Sequence, residues 1–177
     1  IVSAFDVRTA VREQVQSLGA TFVAAEAIAS DAEDKGGYAR EQSAEQQQRT
    51  AALLSEHLKQ VDLVVTTAQI PGRPAPRLIT EAMVADMRPG TVIIDLAAES
   101  GGNCALTKPG EIVNANGVAI YGAVDIPSTV PTHASQMFGR NVLTLLQHLT
   151  KDGTITIKLD DEIAGPMCVV YQGQPRT

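Results

Sequence analysis

Three short apolar runs, each closed by an acid or a turn, set the strongest limit on the fold: "IVSAFD" at residues 1–6, "VDLVVTTA" at 61–68 and "TVIIDLA" at 91–97. β-branched, nearly continuous runs of this kind suit strands covered on both faces of a parallel sheet. Helical spacing fills the intervals. In "TAVREQVQSLGA" Val11, Val15 and Leu18 share one face and Gly19 ends the pattern, while "TFVAA" resumes a strand, so the chain opens on a βαβ unit.

Further along, "EAIASDAEDKGGYAREQS" holds neither period and predicts a long mobile loop. A helix follows over about residues 43–60, with Leu54 and Leu58 on one face. The proline-rich "QIPGRPAP" leads into a short helix at 80–87 with Thr80 as its N-cap. After "TVIIDLA" comes the polar loop "AESGGNCALTKPGE", and "IVN" and "VAIYG" predict two more strands. Strands alternating with helices argue for an open parallel sheet with helices on both faces. From Pro127 the alternation stops: a helix is expected over about 134–149, then a strand at "TITIKL" and a loose acidic tail. A boundary is therefore placed near Pro127.

Composition narrows the class of function. Hydrophobic residues make up 44% of 177, enough for a real core, and aromatics only 3%, in keeping with α/β packing. Fourteen basic residues against 20 acids, with no basic cluster, speak against nucleic acid. No apolar run approaches the roughly 18 residues of a membrane span, and no leader pattern is evident, so a soluble chain is expected. Cys104 and Cys168 form no CxxC or Cys/His cluster, which predicts buried free thiols and no metal. His57 and His148 read as solvated or capping groups, and His133 begins the last helix without an identifiable carboxylate partner. No G-x-S-x-G elbow occurs, so no catalytic residue is assigned.

Asp6 ends the first strand, and ligands of doubly wound sheets sit outside the carboxyl ends of strands. An acid there can accept from the adenosine ribose hydroxyls and repel a 2′-phosphate, favouring NAD over NADP. The adjacent Arg8 tempers that choice. The competing reading is that Asp6 caps the next helix. A dinucleotide site also needs a first strand and G-x-G-x-x-G roughly 20 residues before the acid; this chain has none, so either Asp6 is no ribose ligand or the chain is a fragment whose first βα unit lies outside it. Asp95 and Glu99 would pair only if their strand continued past Asp95, and a structural role is expected for both.

Together, "FDVR", "EQVQSLGA", "KGGYAREQS", "TTAQIPGRPAP", "IDLAAESGGNC" and "DIPSTVPTHASQMF" resemble the NAD(H)-binding domain of the alpha subunit of proton-translocating NAD(P) transhydrogenase. The resemblance implies a Rossmann-like, doubly wound parallel sheet lacking its first βα unit. It implies a nucleotide-binding domain over 1–127 and a C-terminal segment, 128–177, whose helix and strand return to a missing N-terminal domain. Asp6, Val7 and Arg8 then match the ribose-binding strand end, and Gly37 and Tyr38 a mobile loop over the nucleotide. Thr67, Ala68, Gln69 and Ile70 match a loop along the adenosine, with Gln69 where leucine is more usual, and Val124 and Asp125 lie towards the nicotinamide. Tyr38 packing over an apolar patch is an equal alternative.

The family's activity is hydride transfer from NADH on this domain to NADP+ on a separate NADP(H)-binding component, coupled to proton movement through a membrane-spanning component. Its soluble part is a homodimer, cytoplasmic and peripheral to the inner membrane, or facing the mitochondrial matrix in a eukaryote. The isolated chain is expected to be inactive. Alanine dehydrogenase shares fold and strand-end acid, but typically has Gln-Gly-Gly-Cys where this chain has Glu99-Ser100-Gly101-Gly102-Asn103-Cys104; it remains the alternative enzyme. A non-catalytic structural or interface fragment is the third reading.

Overall fold

The computed structural model describes residues 1–8, 11–23 and 43–176, which fall into two compact units, Ile1–Val124 and Asp125–Thr177. In the first unit, β1 (Ser3–Phe5) and β2 (Thr21–Val23) pair in parallel, joined through α1 (Arg12–Ser17). Leu18 closes α1, and Gly19 follows at φ +82°, the left-handed conformation that lets a chain leave a helix sharply. A second sheet has the order β3-β4-β6-β5, from β3 (Leu63–Thr66), β4 (Val92–Asp95), β5 (Ile112–Ala115) and β6 (Val118–Gly122). Its β3, β4 and β6 run parallel, so the mixed α/β architecture with a parallel sheet is as the sequence predicts.

Among the described residues two helices lie between β2 and β4, and both start as their sequences dictate. At α2 (Ala44–Leu58), Ser43 Oγ accepts from Gln46 N at 3.3 Å while Gln46 Oε1 accepts from Ser43 N at 3.0 Å, a reciprocal box that satisfies two orphan donors. At α3 (Glu81–Ala85), Thr80 Oγ1 accepts from Met83 N at 3.2 Å, the cap expected of that threonine.

Strand alternation decides which face of the four-stranded sheet is filled. Parallel register aligns Val64 with Ile93 and Ile120, and the next inward row is Thr66, Asp95 and Gly122. Ile93 and Ile120 are fully buried with Val118, against Leu58 of α2 and Met83 and Val84 of α3. On the opposite face, among the described residues, Leu63, Val65 and Val92 are exposed. The expectation of helices on both faces is therefore met on one face by the described residues of this unit.

β5 departs from the expected parallel series: it is antiparallel to β6. The connection is only Asn116-Gly117, both at positive φ (52° and 81°), a two-residue turn that joins antiparallel neighbours and has no length for a crossover. Gly117 also packs under Pro89, where an added Cβ would lie 3.0 Å from the proline Cβ.

The second unit contains α4 (Ile126–Thr129) and the long α5 (Pro131–Leu149), which starts three residues earlier than its apolar spacing suggests because Pro131 takes the first helical position. The expected "TITIKL" strand shrinks to a hairpin of β7 (Thr150–Lys151) and β8 (Thr154–Ile155). A second hairpin, β9 (Val170–Tyr171) with β10 (Gln174–Pro175), follows α6 (Ala164–Met167). Phe138, Val142, Leu143 and Leu146 of α5 are exposed. Asp161 ties the unit together, accepting from Ile163 N at 3.0 Å, Ala164 N at 2.7 Å and His148 Nε2 at 2.9 Å.

Those bonds, led by the Ala164 N–H and then His148, hold the Asp161 carboxyl at about 2, below its ordinary 3.8. A depressed carboxyl stabilises the fold fully above its unfolded value and loses that contribution as pH falls through the folded one. Asp161→Asn is accordingly expected to lower the thermal midpoint at pH 6, with the difference from wild type shrinking between pH 4 and 2. Paired melting curves across that range check it.

Candidate nucleotide site at the strand ends

Both sheets deliver polar side chains to the carboxyl ends of their parallel strands, where such folds place ligands. Asp6 follows β1 directly. Its Oδ1 accepts from Arg8 N at 2.8 Å and Arg8 Nε at 3.0 Å, and its Oδ2 accepts from Arg8 Nη2 at 2.8 Å. Burial pushes the carboxyl up, but these bonds and the guanidinium charge outweigh it and hold the group below its usual range. The capping alternative is not what forms: the residue before α1 is Val11, and no side chain caps that helix. A carboxylate offers about four lone-pair sites, so the three Arg8 bonds leave Oδ2 room for one more donor.

The acid ending β4 has a different fate. Asp95 is fully buried, and its oxygens accept from Ala97 N (3.0 Å), Asn103 N (2.7 Å), Cys104 N (3.1 Å) and Thr107 Oγ1 (2.6 Å). Desolvation raises this carboxyl, and the donors, Thr107 foremost, overcome it so that it stays ionised and lowered. Gly102, at φ +81°, passes so close that a Cβ there would stand 2.9 Å from Asp95 Oδ2. The strand stops at Asp95 and a 3-10 turn, Ala98–Ser100, leaves Glu99 exposed, so the two acids form no catalytic pair and the structural role expected of Asp95 holds.

The loop after β3 meets the loop after β4. Ala68 is locked at both main-chain groups, its N–H donating to Asn103 Oδ1 at 3.0 Å and its carbonyl accepting from Asn103 Nδ2 at 2.9 Å. Gln69 Nε2 donates to Leu96 O at 3.2 Å, which gives the unusual glutamine a partner inside the protein. Thr67 and Ile70 stay exposed. Gln69, Ile70, Arg73, Pro74 and Ser100 line an open cleft of about 730 Å³, also bounded by Pro71 and Gly72.

The expected site residues thus reach several places. Thr67–Ile70 meet the loop after β4. Asp6 and Arg8 bond each other, with Val7 between them half-buried. Val124 ends the first unit half-buried, whereas exposed Asp125 opens the second at φ +52° and is described with it. Gly37 and Tyr38 lie outside the described residues. Asn103, Gly102 and Thr107 were not singled out as a unit by the sequence, although a Gly-Gly-Asn run straight after a buried strand signals close packing at its end.

The remaining titratable groups are occupied or bland. His57 Nε2 lies 2.7 Å from Ser3 Oγ, tying α2 to β1 instead of being solvated. Cys104 is buried, which raises its thiol, and Cys168 is half-buried; both are free. Among the described residues no group of three or more His, Cys, Asp or Glu could hold a metal, and no helix is long and apolar enough to cross a membrane.

This arrangement, strand-end acid and closed strand-end loops on a parallel sheet, belongs to a known class. A family model described as "Alanine dehydrogenase/PNT, C-terminal domain" matches residues 1–177, and the chain belongs to that family. Within it, the chain is 46% identical over an alignment of 181 residues to NAD(P) transhydrogenase subunit alpha of Haemophilus influenzae, covering 98% of this chain and 34% of that protein. The crystal structure of transhydrogenase from Sinorhizobium meliloti superposes with a TM-score of 0.76 at 37% identity, over 99% of this chain and 45% of that one. Alanine dehydrogenase 1 of Staphylococcus aureus is 30% identical over only 68% of this chain and 34% of its own length. The transhydrogenase resemblance drawn from the motifs is the stronger one, and the chain spans less than half the length of these relatives.

The two strand-end acids are expected to differ sharply in stability. Asp95→Ala strands three buried main-chain N–H groups and should cost about 3–5 kcal/mol, since each unsatisfied buried donor costs about 1–3 kcal/mol. Asp6→Ala breaks a partly exposed pair and should cost about 0–1 kcal/mol. Urea unfolding of both variants measures the contrast.

Proposed function

We propose that this chain is the NAD(H)-binding part of a proton-translocating NAD(P) transhydrogenase alpha subunit, where it presents NADH for hydride transfer to NADP+ on a separate NADP(H)-binding component. The observation that carries the reading is Asp6: an ionised carboxylate at a strand's carboxyl end, not used as a helix cap, with capacity for a further donor. A ribose hydroxyl is such a donor. The residues fit a dinucleotide in two further respects: the cleft beside Ile70 is apolar and proline-walled, as suits a flat base, and the loop bounding it is held at Ala68. Asp6, Val7 and Arg8 would hold the ribose, Thr67 to Ile70 the adenosine, Gly37 and Tyr38 would cover the nucleotide, and Val124 and Asp125 would approach the nicotinamide.

When bound, the nucleotide supplies the hydride. The chain's own work is to bind, orient and keep water away, because hydride passing between two nicotinamide rings moves no proton at the reacting carbon. That requirement agrees with the Asp6 and Asp95 carboxylates being engaged in bonds within the chain. The proton step then belongs to a membrane-spanning component, with this chain lying in the cytoplasm or matrix at the membrane face.

The same reading accounts for the separate sheets. A missing first βα unit would supply a strand beside β1 and β3, and the Gly-rich turn the sequence lacks. A missing N-terminal domain, or a second copy in a homodimer, would cover the exposed face of α5. Alone, the 177 residues would be inactive. Alanine dehydrogenase is favoured less, since its sequence likeness is 30% over 68% of the chain against 46% over 98% for the transhydrogenase subunit.

The test is calorimetric titration of the full-length parent subunit and its Asp6→Ala variant with NADH and NADPH. Losing a hydrogen bond to a charged group should weaken NADH about 10- to 100-fold. NADPH should bind wild type more weakly than NADH, and the gap should narrow in the variant. Indifference of NADH affinity to Asp6, or equal affinities in wild type, would overturn the assignment.

A further inference from the structure

Through its carboxamide Asn103 makes three hydrogen bonds to main chain at the strand ends, and the proposed chemistry leaves it without a role. It is fully buried. Its carboxamide pairs with Ala68 as a neighbouring strand would, accepting from the N–H and donating to the carbonyl, and Nδ2 donates again to Pro76 O at 2.8 Å. Its main-chain oxygen accepts from Leu78 N at 2.8 Å and Ile79 N at 3.0 Å. Its own N–H is seated on Asp95.

One side chain therefore grips both ends of the excursion 69–75, and that excursion is the wall of the cleft. A loop whose ends are fixed before a ligand arrives has already lost the entropy that binding would otherwise have to overcome. The grip requires an asparagine: aspartate has no donors for Ala68 O and Pro76 O and would set a second carboxylate beside Asp95, while leucine has the shape and none of the bonds.

We propose that Asn103, seated by Asp95, is a positioning residue for nucleotide binding, holding the Ala68–Ile70 main chain in its ligand-ready form without touching the ligand. The proposal rests on the NAD(H) reading above. Because any change at a buried asparagine lowers stability, the comparison is with Val84→Ala, a fully buried α3 residue in the core cluster and outside the cleft lining.

NADH affinity of the full-length subunit is measured by calorimetry for wild type, Asn103→Leu and Val84→Ala, alongside their melting temperatures. Asn103→Leu should weaken NADH about tenfold, as loss of one net hydrogen-bond equivalent from a prepared site would. Val84→Ala, at a similar fall in melting temperature, should stay within about twofold of wild type, since it removes packing and leaves the loop gripped. Should Asn103→Leu not fold, Asn103→Ser, which keeps a small donor and acceptor, reads the same quantity. Equal affinity losses in the Asn103 and Val84 variants, or none in either, overturn the positioning role while the NAD(H) reading survives. Failure of wild type itself to bind NADH overturns both.

Discussion

A single buried carboxylate organises the functional end of the first unit. Asp95 comes out of β4 with no exposure, and an ion in that position is tolerated only when donors replace its water. Three main-chain N–H groups and the Thr107 hydroxyl do so, and each belongs to the segment that would otherwise wander off the strand end. The charge thus folds residues 97–107 back over the sheet. Gly102 is the residue type that allows the close pass, because the approach leaves no space for a Cβ.

From that fold-back the order spreads outward. Asn103, once seated, pins the loop after β3, and the two loops are joined again by Ala75 N to Ser100 O and by a parallel bridge between Ile79 and Cys104. Buried polar networks of this kind are costly when incomplete and rigid when satisfied. Here the network borders exposed Thr67 and Ile70, so rigidity is delivered to the surface of the cleft. Arg77 adds to it from outside, donating to Cys104 O at 2.5 Å.

The two strand-end acids divide labour according to their surroundings. Asp6 lies one residue past its strand and Asp95 ends its own, yet Asp95 is saturated by four donors of the loop that covers it, whereas Asp6 is only partly used, by a single arginine two residues along. Saturation by the fold makes an acid structural. Partial use by a neighbouring side chain leaves a half-buried acid with acceptor capacity to spare. The distinction is set by burial and by the supply of donors rather than by residue type.

Much of this was legible in the chain. Apolar runs placed β3, β4 and β6; Thr80 and Gly19 marked helix ends; and motifs such as "TTAQIPGRPAP" and "IDLAAESGGNC" carried the family. Local signals suffice there because strand and helix periods, caps and turns depend on near neighbours. The antiparallel placing of β5 was also written in Asn116-Gly117, but a hairpin turn competes with the alternation pattern and was outweighed by it. What the sequence could not decide is which polar groups meet. Asn103 lies 35 residues from Ala68, and His57 lies 54 from Ser3, and no periodicity reports a hydrogen bond across such distances. By itself the sequence determined the elements, the family and the candidates for the strand-end acid. Only the tertiary structure decided that Asp95 is fully buried and Asp6 only partly so, because desolvation and donor supply are properties of the packed chain.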